Sequence, residues 1–172
     1  MSFALYTEIT INATPQEIWD ELIHFTSYPS WNSFITSIAG TPEKGNKLHA
    51  TIGGMKFQPI VQESIPNKKL VWLGKLGLKG IFDGEHSFEI IPQQNGSLFV
   101  QKENFSGLLV PLFKKKLVKD TKSGFIAMNK QLKERIETKK KALLINKAFF
   151  YSGSILTIKI NLIFYPNPLY IF

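Results

Sequence analysis

Apolar and polar positions change their period along this chain, and each change marks an element. Phe3, Leu5, Ile9 and Ile11 alternate with Ala4, Tyr6, Glu8 and Thr10, which predicts a strand with one dry face. Thr14-Pro15-Gln16-Glu17 then opens a helix, because Thr14 can cap it, Pro15 suits its first position and Glu17 completes a capping box. Ile18, Trp19 and Leu22 form the buried side of that helix. The run 25–32 is rich in turn residues and predicts one further turn of helix. Six strands follow, at Phe34 to Ala39, Lys47 to Ile52, Lys56 to Ile65, Lys69 to Lys75, Ile81 to Ile91 and Ser97 to Phe105. Each is bounded by Gly, Pro or Asn, and the spacing is too short for crossover helices, so the sheet is antiparallel. Pro59 belongs at an edge or bulge.

From Lys114 to Lys141 the period becomes helical. Val118, Thr121, Phe125, Met128, Leu132 and Ile136 recur at spacings of three and four along one side. Such a helix cannot bury its apolar side alone, so the preceding elements must receive it. The order of strand, helical pair, six strands and long helix gives an α+β class in which a curved sheet closes around the last helix.

At 172 residues the chain is large enough for one domain with a real core, and its 14 Phe suit a lined interior. The helix from Lys114 to Lys141 holds eleven Lys and Arg against Asp120, Glu134 and Glu137, so it carries the whole formal net charge of +8. That excess has no interleaved aromatics and no nucleic-acid motif, so a solvated helix face explains it and nucleic acid is not expected as a partner. With no cysteine, disulfides, thiol nucleophiles and Cys-ligated metals are excluded. The first residues lack the basic start and apolar run of a signal peptide, and a cytoplasmic location is expected.

Candidate chemistry concentrates in the hairpin from Ile81 to Phe105. Phe82, His86, Phe88 and Ile90 share one face, opposite Asp83, Glu85, Ser87 and Glu89; on the partner strand Phe99, Gln101, Glu103 and Phe105 share a face. A turn near Gln94 and Asn95 sets Ile90 against Phe99, Phe88 against Gln101 and His86 against Glu103. Opposed residues project to the same side, so an imidazole and a carboxylate lie among aromatics. Such a pair can satisfy itself, orient a ligand oxygen or move a proton; ligand orientation or structural pairing is preferred to catalysis. His49 should face water, and His24 ends the first helix, where a surface position suits it as well as any other. No nucleophile elbow, zinc-protease motif or phosphate-binding loop is present, and the connection carrying Gly74, Gly77 and Gly80 joins strands. Three dispersed His give no metal site, no cofactor is implied, and no enzyme class is signalled.

A set of short segments, in order, carries a resemblance. They are Ile11-x-Ala13-Thr14-Pro15-x-Glu17-Ile18-Trp19, Tyr28-Pro29-x-Trp31-Asn32-x-Phe34, Gly84-x-His86-x-Phe88, Glu103-x-Phe105-x-Gly107-Leu108-Leu109-x-Pro111, and Met128-Asn129-x-x-Leu132-Lys133. Over about residues 2 to 140 the chain resembles the START-related, birch-pollen-allergen-like (SRPBCC) superfamily, in its polyketide cyclase/dehydrase and lipid-transport branch. The resemblance implies a helix-grip fold: a seven-stranded antiparallel sheet curled around a long C-terminal helix, with an apolar cavity between them. It also implies a hydrophobic small-molecule ligand such as a lipid, sterol or polyketide, bound by a carrier or sensor. The alternative is a cyclase or dehydratase in which His86 and Glu103 transfer protons. The residues expected to bind the ligand are Trp31, Phe34, Trp72, Phe82, His86, Phe88, Gln101, Glu103, Phe105, Phe125 and Met128.

Residues 1–141 are expected to form this domain, leaving 142–172 as an atypical hydrophobic extension. In it Leu156, Ile158, Ile160, Leu162 and Phe164 alternate like a strand, and the end contains Pro166-Asn167-Pro168. Its residue types share AT-rich codons, so an adventitious extension is the first interpretation, an added strand or dimer contact the second and membrane association the third. Polar residues interrupt every window of about 18 residues, which argues against a spanning helix.

Overall fold

The computed structural model describes residues 2–75, 78 and 80–164, and the side chains up to 150. Gly77 and the segment 165–172, including Pro166-Asn167-Pro168, lie outside the described residues. Among the described residues there are eight strands: β1 (Ser2–Ile11), β2 (Ile35–Ala39), β3 (His49–Ile52), β4 (Met55–Phe57), β5 (Ile60–Ile65), β6 (Lys69–Lys75), β7 (Asp83–Gln93) and β8 (Gly96–Ser106). Helix α1 (Pro15–Ile23) and a 3-10 segment (Phe25–Ser30) follow β1, and helix α2 (Val110–Phe164) follows β8. The compact unit is Met1–Glu137, and a second unit runs from Thr138 to Phe172.

The strands form a five-stranded antiparallel sheet, ordered β1-β8-β7-β6-β5, and a three-stranded sheet, ordered β2-β3-β4. This corrects the single seven-stranded sheet. The strand expected from Lys56 to Ile65 is broken into β4 and β5, which belong to different sheets. Pro59 sits between them, outside both strands; it has no N–H for a ladder, and its carbonyl accepts the Leu48 N–H at 2.8 Å. A single bridge between Lys47 and Ile60 keeps the two sheets adjacent.

Helix α1 starts as its sequence requires. The Glu17 N–H donates to Thr14 Oγ1 at 3.2 Å, and Glu17 Oε2 accepts the Thr14 N–H at 2.7 Å. Ile18, Trp19 and Leu22 are buried. In the 3-10 segment the Tyr28 hydroxyl donates to the Leu22 carbonyl at 2.7 Å, and burial, with Glu21 nearby, pushes its pKa well above the usual tyrosine range. The Arg135 guanidinium on α2 donates to Glu21, which ties α1 to the long helix.

Helix α2 is longer than its apolar stripe suggested, starting at Val110 rather than Lys114 and running past Lys141 to Phe164. Pro111 lies in the first turn, where no N–H is needed, and no further proline interrupts the helix before Phe164. The strand-like alternation of Leu156 to Phe164 is therefore overridden; with no breaker present, the backbone keeps its helical hydrogen bonds. Phe125, Met128, Leu132 and Ile136 are buried against the sheet, whereas Val118 is exposed. Gln101 Nε2 donates to Asn129 Oδ1 at 2.5 Å and Asn129 Nδ2 to Thr7 Oγ1 at 3.2 Å, a buried polar chain that fixes the helix register over β8 and β1.

Candidate functional site

The hairpin β7–β8 turns through Gln94 and Asn95, and Gly96 takes a φ of 116°, which a side chain would strain. That turn sets Ile90 opposite Phe99, Phe88 opposite Gln101 and His86 opposite Glu103, as the strand parity predicts. Across the sheet the same row runs Leu5, Glu103, His86, Trp72 and Val61, all projecting toward α2. Asp83, on the face opposite His86, is nonetheless buried, and its carboxylate accepts the Gly80 N–H at 2.9 Å to hold the preceding turn.

His86 Nδ1 lies 2.6 Å from Glu103 Oε2. The imidazole is only 4% exposed and sits in an aromatic cage. Trp72 stacks on it at 5.4 Å, Phe88 tilts against it at 4.3 Å and Phe125 meets it edge-on at 4.8 Å. An ionised carboxylate only accepts, so the neutral tautomer carries its proton on Nδ1 and leaves Nε2 as an acceptor. Nε2 is buried with no hydrogen-bond partner. The other carboxylate oxygen of Glu103 occupies the space a side chain on Gly84 would need, so the small residue two before His86 gives the acid its place.

These side chains border a cavity of about 510 Å³ between the two sheets and the first turns of α2. Among the expected binding residues, Phe34, Trp72, Phe82, His86, Glu103, Phe105 and Phe125 line it. Trp31, Phe88, Gln101 and Met128 do not. Trp31 packs on Tyr28 at 4.9 Å and donates its indole N–H to Ser27 Oγ at 3.1 Å. Phe88 and Met128 belong to a solid core with α1 and the 3-10 segment, and Gln101 is committed to Asn129. The cavity therefore ends at the level of His86 and Phe125, where Phe88, Phe99 and Leu132 fill the interior.

The lining also includes Ile52, Met55 and Phe57 from β3 and β4, and Phe113, Leu117 and Thr121 from α2. Phe113, Leu117, Thr121 and Phe125 are spaced by four, so extending the apolar stripe upstream would have found the helical part. The β3–β4 part depends on how a second sheet is placed and has no such local signal. Met55, Lys75, Phe113, Lys116 and Asp120 are exposed and mark the cavity's opening. His49 and His24 are exposed. Among the described residues no group of three or more metal-ligating side chains occurs, and no helix is long and apolar enough to cross a membrane.

A sequence profile described as polyketide cyclase/dehydrase and lipid transport matches residues 2–137. The chain belongs to this family. No curated protein sequence matches it significantly. Among solved structures, the fold of this family member is similar to protein MLL2253 from Mesorhizobium loti, with TM-score 0.66 and 16% identity over 79% of this chain and 98% of that one. It is also similar to a norcoclaurine synthase point mutant from Thalictrum, in complex with a transition-state analogue, at TM-score 0.65 and 12% identity over 81% and 97%. The di-domain aromatase/cyclase StfQ of the steffimycin biosynthetic pathway aligns with TM-score 0.68 and 9% identity over 82% of this chain and 53% of its own length. At these identities the likeness is one of fold: an antiparallel sheet wrapped around a long C-terminal helix, the helix-grip arrangement.

Proposed function

We propose that the domain is a carrier or sensor that encloses one hydrophobic small molecule and orients it through a single polar anchor at His86. Membership of the family supports a ligand-binding or cyclase role. The carrier reading rests on one observation: His86 Nε2 is buried with no hydrogen-bond partner, on a residue that borders a largely apolar cavity. A buried polar atom left unmade costs about 1–3 kcal/mol, and a ligand hydroxyl would recover that. The volume of about 510 Å³ falls within the range of roughly 300–1,000 Å³ that small-molecule sites occupy. The ligand class is thus an apolar body, such as a lipid, sterol or polyketide, bearing one hydroxyl or phenol.

The same geometry favours a second reading. A histidine whose Nδ1–H is held by a carboxylate can accept a proton at Nε2, and Glu103 would stabilise the imidazolium that forms. That is the proton-transfer pair a cyclase or dehydratase needs.

Native mass spectrometry of the protein purified from its own host tests both. A co-purifying hydrophobic molecule of unchanged mass supports the carrier; conversion of an added polyketide-like substrate, lost in His86→Phe with binding intact, supports the enzyme. A folded protein that neither retains a ligand nor binds a naphthalene-sulfonate probe overturns both.

A further inference from the structure

Next to the exposed Phe113 at the cavity's opening, the chain carries apolar side chains that the described residues leave open to solvent. Leu108 is 81% exposed and Leu112 76%, at the start of α2. The Leu108 N–H donates to the Gly80 carbonyl and the Leu109 N–H to the Ile81 carbonyl, each at 3.0 Å. Those bonds hold the segment beside the turn that carries Leu78, itself 76% exposed. Phe113 and Met55 continue this surface into the cavity lining. Isolated exposed leucines are ordinary, but a group of them continuous with the exposed lining of an apolar cavity suits a docking surface.

The charge beside the leucines decides what docks. Lys114, Lys115, Lys116, Lys119 and Lys122 are all exposed, and Asp120 is the sole acidic residue between Val110 and Lys133. Apolar tips followed by a lysine belt match a bilayer surface, where leucines enter the acyl boundary and ammonium groups meet lipid phosphates. A second copy of this chain would bring its own lysines against these and be repelled.

We propose that this end of the domain docks on an anionic lipid bilayer, with the cavity opening against the membrane. A hydrophobic ligand would then pass between bilayer and cavity without crossing water. Docking is independent of the role assigned to His86, since it needs no ligand.

The chain has no cysteine, so a single introduced one can carry an environment-sensitive dye. Full-length protein labelled at Leu112→Cys, and as a control at Lys44→Cys in the exposed loop between β2 and β3, is mixed with phosphatidylcholine vesicles with and without phosphatidylglycerol. A blue shift at position 112 with the anionic vesicles, and none at 44, is expected. In co-sedimentation, Leu108→Ser with Lys115→Glu should weaken binding at least about tenfold, with an unchanged melting temperature. Vesicle binding without a shift at 112 would place the contact elsewhere on the chain and overturn the proposal. So would full binding by the double variant, or lipid-free dimerisation that the same substitutions abolish.

Discussion

His86 and Glu103 face each other across β7 and β8 with Nδ1 and Oε2 2.6 Å apart, and both side chains turn toward α2. The two partners are not equivalent. Glu103 has one oxygen on His86 and its other over Gly84, whereas the Nε2 of His86 has no partner. Glu103→Ala leaves the imidazole unpaired at both nitrogens and should lower stability by about 1–3 kcal/mol. His86→Phe keeps an aromatic ring in the cage, so the fold should survive while ligand preference shifts toward molecules without a hydroxyl. Urea denaturation and probe displacement check the two outcomes separately; a neutral Glu103→Ala would mean the pair contributes nothing to the fold.

Phe125 and Phe99 are both fully buried, but only Phe125 borders the cavity. Phe99→Ala should cost about 3–5 kcal/mol, the usual loss for an aromatic in a filled core. Phe125→Ala should cost less than that, because the space it vacates joins the cavity it borders instead of leaving a sealed void. The smaller stability loss should come with the larger change in probe binding. Equal losses at the two positions, read from paired denaturation curves, would mean the cavity does not reach the helix at Phe125.

Much of this arrangement is legible in the sequence, because it depends on short-range rules. The capping box at Thr14 and Glu17 and the inward parity of His86 and Glu103 follow from spacing alone. The break at Pro59 was visible as a proline, but its consequence, a second sheet, depends on how β4 and β5 diverge in space. Phe88, Gln101 and Met128 have the same parity or stripe as the cavity residues. They miss the cavity because α1 and the 3-10 segment plug that end of the sheet, a tertiary fact with no local pattern. The strand-like alternation at Leu156 to Phe164 misled for the opposite reason, since the period was present and helix continuation prevailed.

The extension should be dispensable to the domain. The compact unit ends at Glu137, whose carboxylate accepts the Asn12 N–H at 2.9 Å, and Lys133 reaches the Thr10 carbonyl at 2.7 Å. A chain ending after Lys141 retains both contacts. It should keep its melting temperature within a few degrees, corresponding to under about 1 kcal/mol, and bind the same probes. Unfolding on truncation, seen by circular dichroism, would show that residues 142–172 are integral to the domain.

Gly124 reverses an ordinary expectation. An exposed mid-helix glycine replaced by alanine gains about 1 kcal/mol, because alanine is the better helix former. Here the Phe34 ring lies directly over Gly124, packed edge-on against Phe125 at 5.7 Å, and an added Cβ would overlap the ring atoms. The Phe34 backbone cannot retreat easily, since its N–H donates to Asn32 Oδ1 at 3.0 Å and its carbonyl accepts the Gly53 N–H at 2.9 Å. The ring must therefore swing into the cavity it lines. Gly124→Ala should destabilise the domain by about 1–3 kcal/mol, the range for an overpacked core. It should also shrink the cavity, weakening large probes more than small ones. Adding Phe34→Leu to Gly124→Ala should restore both stability and large-probe binding. A stabilised single variant, measured by thermal melting, would mean Phe34 is not seated on the helix.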